Sequence, residues 1–287
     1  MLLPRVLLYG TIFALGSVVG SFLNVCIYRL PRDRSIVSPP SHCPQCGARL
    51  RALDLVPLFS FLALGRKCRF CGGPIGWRYF TVELITGALF LAAWFASGES
   101  LQVVPDWIFI AAVIAVVFTD LDHMIIPDGL VVAALVAGVA SWGIAAASGQ
   151  LALLSVLLPW EGIAFPRWVA GGVVGLVVFI GVRAFSQLLF RREGMGLGDV
   201  KLAAAIGAML GPGMAMLSFG LAVATGAVVG LALIALRVRR RMEYLPFGPF
   251  LAVAALVALL APGWLLSSST ALYERWLGFS YGLMTGG

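Results

Sequence analysis

The sequence predicts an all-α, polytopic membrane protein with about eight transmembrane helices and a small loop domain outside the bilayer. Of its 287 residues, 61% are hydrophobic and only 11% are charged, and the mean hydropathy is +0.99. A helix that spans a bilayer needs roughly 20 mainly apolar residues, and runs of this kind recur along the chain. This composition excludes an ordinary soluble globular protein.

The apolar runs give the expected helices in order. The first is too long for the apolar core of a signal peptide and lacks a small-residue cleavage site, so it is interpreted as a retained helix. The third and sixth are short for a full crossing, and a Gly-Pro-Gly string separates the sixth from the seventh. The predicted helices cover residues 6–28, 80–97, 107–121, 125–147, 167–190, 199–211, 214–236 and 247–266.

Basic residues predict the orientation of these helices. The segment 29–78 carries nine Lys and Arg residues against two acidic ones. Because Lys and Arg concentrate in cytoplasmic loops, this segment is expected in the cytoplasm. Arg191, Arg192 and the basic cluster at 237–241 fall on the same side when the helices alternate. The net charge of +7 therefore reflects membrane orientation and predicts no nucleic-acid partner.

Three units follow from this pattern. Residues 1–28 are expected to form the first transmembrane helix, residues 29–78 a cytoplasmic loop domain, and residues 79–287 the main membrane-embedded domain. The lipid bilayer is the partner that the composition itself predicts.

Two C-x2-C pairs mark the loop domain. Cys43 and Cys46 form one pair, Cys68 and Cys71 form the other, and 21 residues separate them. Each pair can offer two thiolates from one tight turn, and the glycine that follows can adopt the positive φ that such a turn favours. This spacing predicts a closed, structural zinc site with four sulfur ligands. Disulfide bonding is the alternative, and a reducing compartment disfavours it.

Two other residues near this pattern need a separate interpretation. His42 directly precedes Cys43 and is a competing ligand, although four sulfurs already satisfy the metal. Cys26 lies within the first helix and has no partner in the pattern, so it is interpreted as a small apolar packing residue.

Two acidic motifs lie at predicted helix ends on the cytoplasmic side. One contains Asp120, Asp122 and Asp128, and the other contains Asp199 in a G-x-G-D string. Two carboxylates held close together share a proton, which gives one acid and one base for hydrolysis of a peptide bond by water. Asp120 and Asp122 lie about 200° apart around a helix, so only one is expected to face Asp199.

These motifs also have purely structural interpretations. Asp199 can cap the helix that follows it, and Asp128 can begin the fourth predicted helix in the same way. Gly196 and Gly198 are expected to let the backbone bend and approach a substrate strand closely before Asp199.

The order of the motifs is highly specific. A segment from Gly20 to Pro31 precedes the cysteine pairs, and Glu83 follows them shortly after Trp77-Arg78-Tyr79. With the two acidic motifs, this arrangement resembles the type IV prepilin peptidase family, a group of G-x-G-D intramembrane aspartyl proteases. The resemblance implies that Asp120 and Asp199 are catalytic. It also makes Asp122, Asp128 and Lys201 candidates for roles around the catalytic pair or in the structure. It implies that Glu83 matters, with packing, substrate contact and cofactor contact as the alternatives.

The resemblance carries expectations about function. It implies removal of the basic leader from type IV prepilins and type II secretion pseudopilins, at the cytoplasmic face of the bacterial inner membrane. It also implies N-methylation of the new amino terminus with S-adenosylmethionine. That part depends on the resemblance alone, because the sequence has no glycine-rich nucleotide-binding fingerprint. An ion-coupled transporter that uses intramembrane carboxylates is the alternative.

Overall fold

The computed structural model describes residues 2–148, 155–157, 164–190, 195–236 and 246–270. Within these ranges the chain is almost entirely helical. Two short 3-10 helices, Leu30–Arg32 and Ala52–Leu55, lie in the loop domain. A two-stranded antiparallel pair, β1 (Ser155–Leu157) and β2 (Ala164–Pro166), precedes the sixth helix. The α-helices are α1 (Leu2–Arg29), α2 (Phe59–Ala63), α3 (Trp77–Ser97), α4 (Val103–His123), α5 (Asp128–Ala147), α6 (Arg167–Phe190), α7 (Leu197–Leu210), α8 (Pro212–Ala235), α9 (Gly248–Leu260) and α10 (Pro262–Thr270).

All eight predicted helices are present, with ends that differ from the prediction by a few residues. The eighth was expected to be continuous and is instead broken. α9 ends at Leu260, and α10 starts at Pro262 in a direction about 100° away. The missing N–H and the ring of Pro262 prevent the helix from continuing straight through this point. The basic clusters at Arg191 and Arg192 and at 237–241 lie outside the described residues.

Six helices of the described residues are long and apolar enough to cross a bilayer, or seven if the bent pair of α9 and α10 counts as one span. α7 does not qualify, because its 14 residues are fewer than the roughly 20 that a crossing needs. This accounts for the difference from the predicted eight.

The position of α7 explains how so short a helix is stable in an apolar protein. It packs against α5, α6, α8 and α9, so most of its side chains are buried by other helices instead of by lipid. Small residues allow the close approach, because a Cβ at Gly207 would lie 2.0 Å from the carbonyl oxygen of Gly171 in α6. Interfaces of this kind are typical of membrane helices, where packing drives association.

α1 and α3 form a second tightly packed pair. A Cβ at Gly16 would lie 2.8 Å from the Cα of Gly87, and one at Gly20 would lie 2.8 Å from the Cα of Glu83. These glycines bring the backbones together at the end of α1 that enters the loop domain. Glu83 is therefore held against α1 and next to the loop domain.

The loop domain consists of two similar turns. In the first, the N–H of Gly47 donates to the carbonyl of Cys43 at 2.9 Å, and in the second Gly72 donates to Cys68 at the same distance. The φ angles of Gly47 and Gly72 are 70° and 69°. The predicted positive φ after each cysteine pair is therefore confirmed.

Candidate active site

Asp120 lies in the last turn of α4, at one end of the helix bundle, and is only 6% exposed. Its Oδ2 accepts a hydrogen bond of 3.0 Å from the backbone N–H of Gly248, the first residue of α9. The N-terminus of a helix carries a partial positive charge from its unpaired N–H groups. Asp120 is thus held by a helix end that favours a negative charge.

Gly248 must be a glycine for this contact to exist. A Cβ at this position would lie 2.7 Å from Oδ2 of Asp120 and 3.3 Å from Cδ1 of Ile126. Real Cβ atoms do not approach an oxygen so closely without displacement of one of the groups. The missing side chain therefore leaves the space that the Asp120 carboxylate occupies.

Asp199 lies in the first turn of α7, at the same end of the bundle. Gly196 is the N-cap residue and no side-chain cap is formed there, so Asp199 is the third residue of the helix and not its cap. Its Oδ2 lies beside Gly196, 3.4 Å from the position that a Cβ there would take. The other oxygen, Oδ1, is buried and has no hydrogen-bond partner. A capping role therefore does not account for Oδ1 of Asp199.

The two carboxylates converge around one apolar side chain. Ile126 lies 3.0 Å from the position that a Cβ of Gly198 would take, and it also contacts Gly248. The charges of Asp120 and Asp199 are close enough to interact. The C-terminal end of α4 and the N-terminal ends of α7 and α9 therefore meet at a single site. Ile126, from the loop between α4 and α5, lies between them.

The glycines before Asp199 act differently from the expectation. Gly196 has an extended backbone with φ of −69°, which any residue can adopt. A Cβ at Gly198 would lie 3.0 Å from Cβ of Ile126, so a small residue suits this position. The backbone at Gly196 therefore shows no special bend, and the close approach of a substrate strand stays a prediction.

The other acidic residues point elsewhere. Asp122 forms a hydrogen-bonded ion pair with Arg78 of α3 and is partly exposed. Asp128 is the first residue of α5, but Pro127 is the N-cap residue and no side-chain cap is formed, so Asp128 does not cap the helix. Its carboxylate pairs with Lys201 at 2.7 Å. The structure therefore brings Asp120 and Asp199 together and directs Asp122, Asp128 and Lys201 to a surrounding layer of ion pairs.

The four cysteines of the loop domain form one cluster. Their sulfur atoms all lie within 4.8 Å of one another, and those of Cys43 and Cys71 are 4.0 Å apart. A tetrahedral site with metal–sulfur bonds of about 2.3 Å requires sulfur atoms about 3.8 Å apart. The cluster can therefore hold a metal ion, and all four cysteines are free of disulfides.

The thiols of the cluster differ in acidity. Backbone N–H groups of Cys71 and Phe70 lower the pKa of the Cys68 thiol to about 7. Although the N–H of Gly73 has a lowering effect on Cys71, burial and the neighbouring cysteines raise the pKa of that thiol to about 11, so Cys68 is the more readily ionised of the two. His42 is not part of the cluster, and its Nδ1 lies 3.0 Å from the carbonyl oxygen of Pro40. Cys26 is buried in α1, as its interpretation as a packing residue requires.

An ion pair stabilises the loop around this cluster. Arg69 lies between two of the cysteines and contacts Asp54 at 2.8 Å. Burial opposes ionisation of Asp54, but hydrogen bonds from Arg69 and from the N–H of Arg51 outweigh it, so the pKa of Asp54 is lowered. The second cysteine turn is thereby tied to the segment that connects the two turns.

Comparison with known proteins addresses the family. Residues 14–97 match the bacterial peptidase A24 N-terminal domain, and residues 107–231 match the type IV leader peptidase family. A prepilin leader peptidase/N-methyltransferase from Aeromonas hydrophila is 34% identical over 88% of this chain and 91% of its own length. The chain belongs to the type IV leader peptidase family. No solved structure matches it significantly.

Two further relatives are also named prepilin leader peptidase/N-methyltransferase. The prepilin leader peptidase/N-methyltransferase of Pseudomonas aeruginosa is 34% identical over 86% of this chain and 88% of its own length. That of Myxococcus xanthus is 39% identical over 69% of this chain, and the match spans 55% of that relative. None of these similarities supports the transporter alternative.

The two matched ranges divide the chain between the cysteine cluster and the two aspartates. The first contains the cysteine cluster and Glu83, and the second contains Asp120 and Asp199. Gly248 lies beyond the second range. Sequence reasoning missed Gly248 and the partner of Asp122, Arg78. The sequence does carry a signal for Gly248, because it stands between Phe247 and Pro249 at the start of an apolar run. A glycine that no tight turn requires can indicate a close contact at that position.

Proposed function

We propose that this chain is a membrane aspartyl endopeptidase that removes the basic leader from type IV prepilins and type II secretion pseudopilins, and that it also N-methylates the new amino terminus. Family membership supports the reaction class. The observation that carries the proteolytic half is the convergence of Asp120, which is buried, and Asp199, which is half-buried, since two carboxylates at one site are the minimal apparatus for this hydrolysis.

The surroundings of the two carboxylates support different roles for them. Asp120, which contacts the N-terminus of α9, is assigned the ionised role and takes a proton from water. Asp199, with its unpartnered Oδ1, is assigned the protonated role and donates its proton to the scissile carbonyl oxygen. The water oxygen then bonds to the carbonyl carbon. When the tetrahedral intermediate collapses, the C–N bond breaks and the leaving amine receives a proton from Asp120. The C=O bond re-forms as the hydroxyl that Asp199 protonated returns its proton to Asp199, so both carboxyl groups regain their starting states.

The layer of ion pairs supports this arrangement from outside. Asp122 and Arg78 join α4 to α3, and Asp128 and Lys201 join α5 to α7. These exposed pairs link α4 and α7, which carry the two aspartates, to neighbouring helices, and each contributes little stability. In this proposal they assist the placement of the site and do not take part in the chemistry.

The remaining parts of the proposal follow the sequence prediction. The cysteine cluster binds a structural zinc ion, because four sulfurs leave no open position for a reacting water. Residues 1–28 form the first span, 29–78 the zinc-binding domain and 79–287 the peptidase domain. The basic loop lies in the cytoplasm and the protein in the inner membrane, with the active site on the cytoplasmic side.

The decisive experiment measures leader release from a purified prepilin by the detergent-solubilised protein. Asp120→Ala and Asp199→Ala are expected to lose all cleavage, whereas the matched Asp122→Ala variant keeps a substantial part of it. Metal content and thermal unfolding show whether each variant is folded. Substantial cleavage by a folded Asp199→Ala protein would refute the paired-carboxylate mechanism.

A further inference from the structure

A partly open cavity lies between the cysteine loop and the helices α1 and α3. Its volume is about 260 Å³, close to the lower end of the roughly 300–1,000 Å³ typical of small-molecule sites. The cysteine cluster borders it at one end, and Asn24 and Glu83 line it at the other. None of the catalytic contacts of Asp120 or Asp199 uses this space.

Asn24 has a buried oxygen that lacks a donor. The residue is 2% exposed, and its Nδ2 donates to the backbone carbonyl of Tyr79 at 3.2 Å. That bond fixes the side-chain amide between α1 and α3, while Oδ1 is buried without a partner. Buried polar atoms in proteins nearly always have a partner, so an N–H or O–H donor is expected in the cavity next to Asn24.

Glu83 is a buried carboxylate without a cation. It is 7% exposed, and its Oε2 accepts the N–H of Leu58 at 2.8 Å, with a further hydrogen bond from Ser21. No ion pair joins it to a Lys, Arg or His of the described residues. A carboxylate buried in this way attracts a positively charged ligand.

The walls of the cavity suit a flat, partly apolar group. Phe61 and Tyr79 contribute aromatic surface, and Tyr28 adds a third ring. Arg29 also lines the space, although two of its N–H groups already donate to the carbonyls of Ser35 and Pro39. The cavity therefore combines aromatic walls with the Glu83 carboxylate and the buried Oδ1 of Asn24.

We propose that this cavity binds S-adenosylmethionine, an inference that rests on the N-methyltransferase half of the proposed function. The ligand has a permanently charged sulfonium, which matches the Glu83 carboxylate. Its adenine offers an exocyclic N–H donor for Oδ1 of Asn24 and a flat ring for the aromatic walls.

The position of α3 relates this site to the proteolytic one. Tyr79 and Glu83 line the cavity, while the neighbouring Arg78 pairs with Asp122, two residues after Asp120. Both sites thus lie at the same end of the molecule, on either side of the start of α3. An amino terminus released at the aspartates is produced near the cavity that holds the methyl donor.

The test is direct binding of radiolabelled S-adenosylmethionine to the full-length protein in lipid nanodiscs, measured by equilibrium dialysis. Glu83→Gln and Asn24→Ala are each expected to weaken binding at least tenfold. Asp106→Asn is the matched control, because Asp106 is an equally buried carboxylate that hydrogen-bonds to Ser97 and does not line the cavity. Metal content and leader cleavage, measured on the same samples, identify the folded variants.

The outcomes separate this inference from the function on which it rests. Weaker binding by both cavity variants, with metal and cleavage retained, supports the site. Unchanged binding by folded Glu83→Gln and Asn24→Ala proteins overturns it and leaves methylation to another part of the chain. If the wild-type protein binds no S-adenosylmethionine and does not methylate a cleaved pilin, the methyltransferase half of the proposed function fails together with this site.

Discussion

The backbone N–H of Gly248 donates a hydrogen bond to Oδ2 of Asp120 at 3.0 Å, across 128 residues of sequence. This contact joins the end of α4 to the start of α9 and places a helix N-terminus against a buried carboxylate. The position of Asp120 in the candidate site thus depends on a residue without a side chain.

Gly248→Ala should impair cleavage without removing any functional group. The added Cβ would lie 2.7 Å from the Asp120 carboxylate and must displace it. A displacement of about 1 Å at a catalytic group can cost about a hundredfold in rate, and a loss of that order is expected in kcat for leader release. Gly226→Ala is the control, because its Cβ would make only ordinary contacts with Phe247 and Phe250. Equal rates for the two variants would show that the Asp120 contact is unimportant.

The ion pair of Asp122 with Arg78 should matter much less. Both side chains are partly exposed, at 36% and 29%, and pairs of this kind contribute less than about 1 kcal/mol. Asp122→Asn and Arg78→Ala are therefore expected to lower kcat for leader release by about fivefold or less, against complete loss for Asp120→Asn. A complete loss in Asp122→Asn would instead assign that carboxylate to the chemistry.

Removal of the metal should unfold the loop domain. Cys43→Ser is expected to lose about one metal equivalent per chain, because three thiolates hold zinc less well than four. Exposed Arg66 and Lys67 in the loop should then be cut rapidly by trypsin. Cys26→Ala, which changes a cysteine outside the cluster, should keep the metal and should remain resistant to trypsin. Equal metal content in both variants, measured by elemental analysis, would refute the prediction of a four-sulfur site.

The contact between α6 and α7 should be sensitive to a single methyl group. In Gly207→Ala the new Cβ would lie 2.0 Å from the carbonyl oxygen of Gly171, so the helices must separate. Overpacking of this kind costs about 1–3 kcal/mol, which should lower the thermal unfolding temperature in detergent. Gly220→Ala in α8 has open space around its Cβ and should unfold at the wild-type temperature or slightly above it. If Gly207→Ala were as stable as this control, the close packing of α7 would be wrong.

Local sequence was enough to predict the parts of this protein that depend on neighbouring residues. Apolar runs gave the eight helices, and each C-x2-C pair with its glycine gave a turn of positive φ, as Gly47 and Gly72 show. The spacing of Asp120 and Asp122 around one helix was also sufficient to predict that they point in different directions. These features follow from backbone geometry over a few residues.

The contacts between distant groups could be learned only from the folded chain. Asp120 contacts Gly248, and Glu83 contacts Leu58. Nothing in the local sequence of either segment indicates which distant residue it contacts. The burial of α7 at the centre of the bundle likewise depends on four other helices, so its short length gave no indication of its position. The physical reason is that helix formation is governed by local backbone bonding, whereas the partner of a buried polar atom is chosen by the packing of the whole chain.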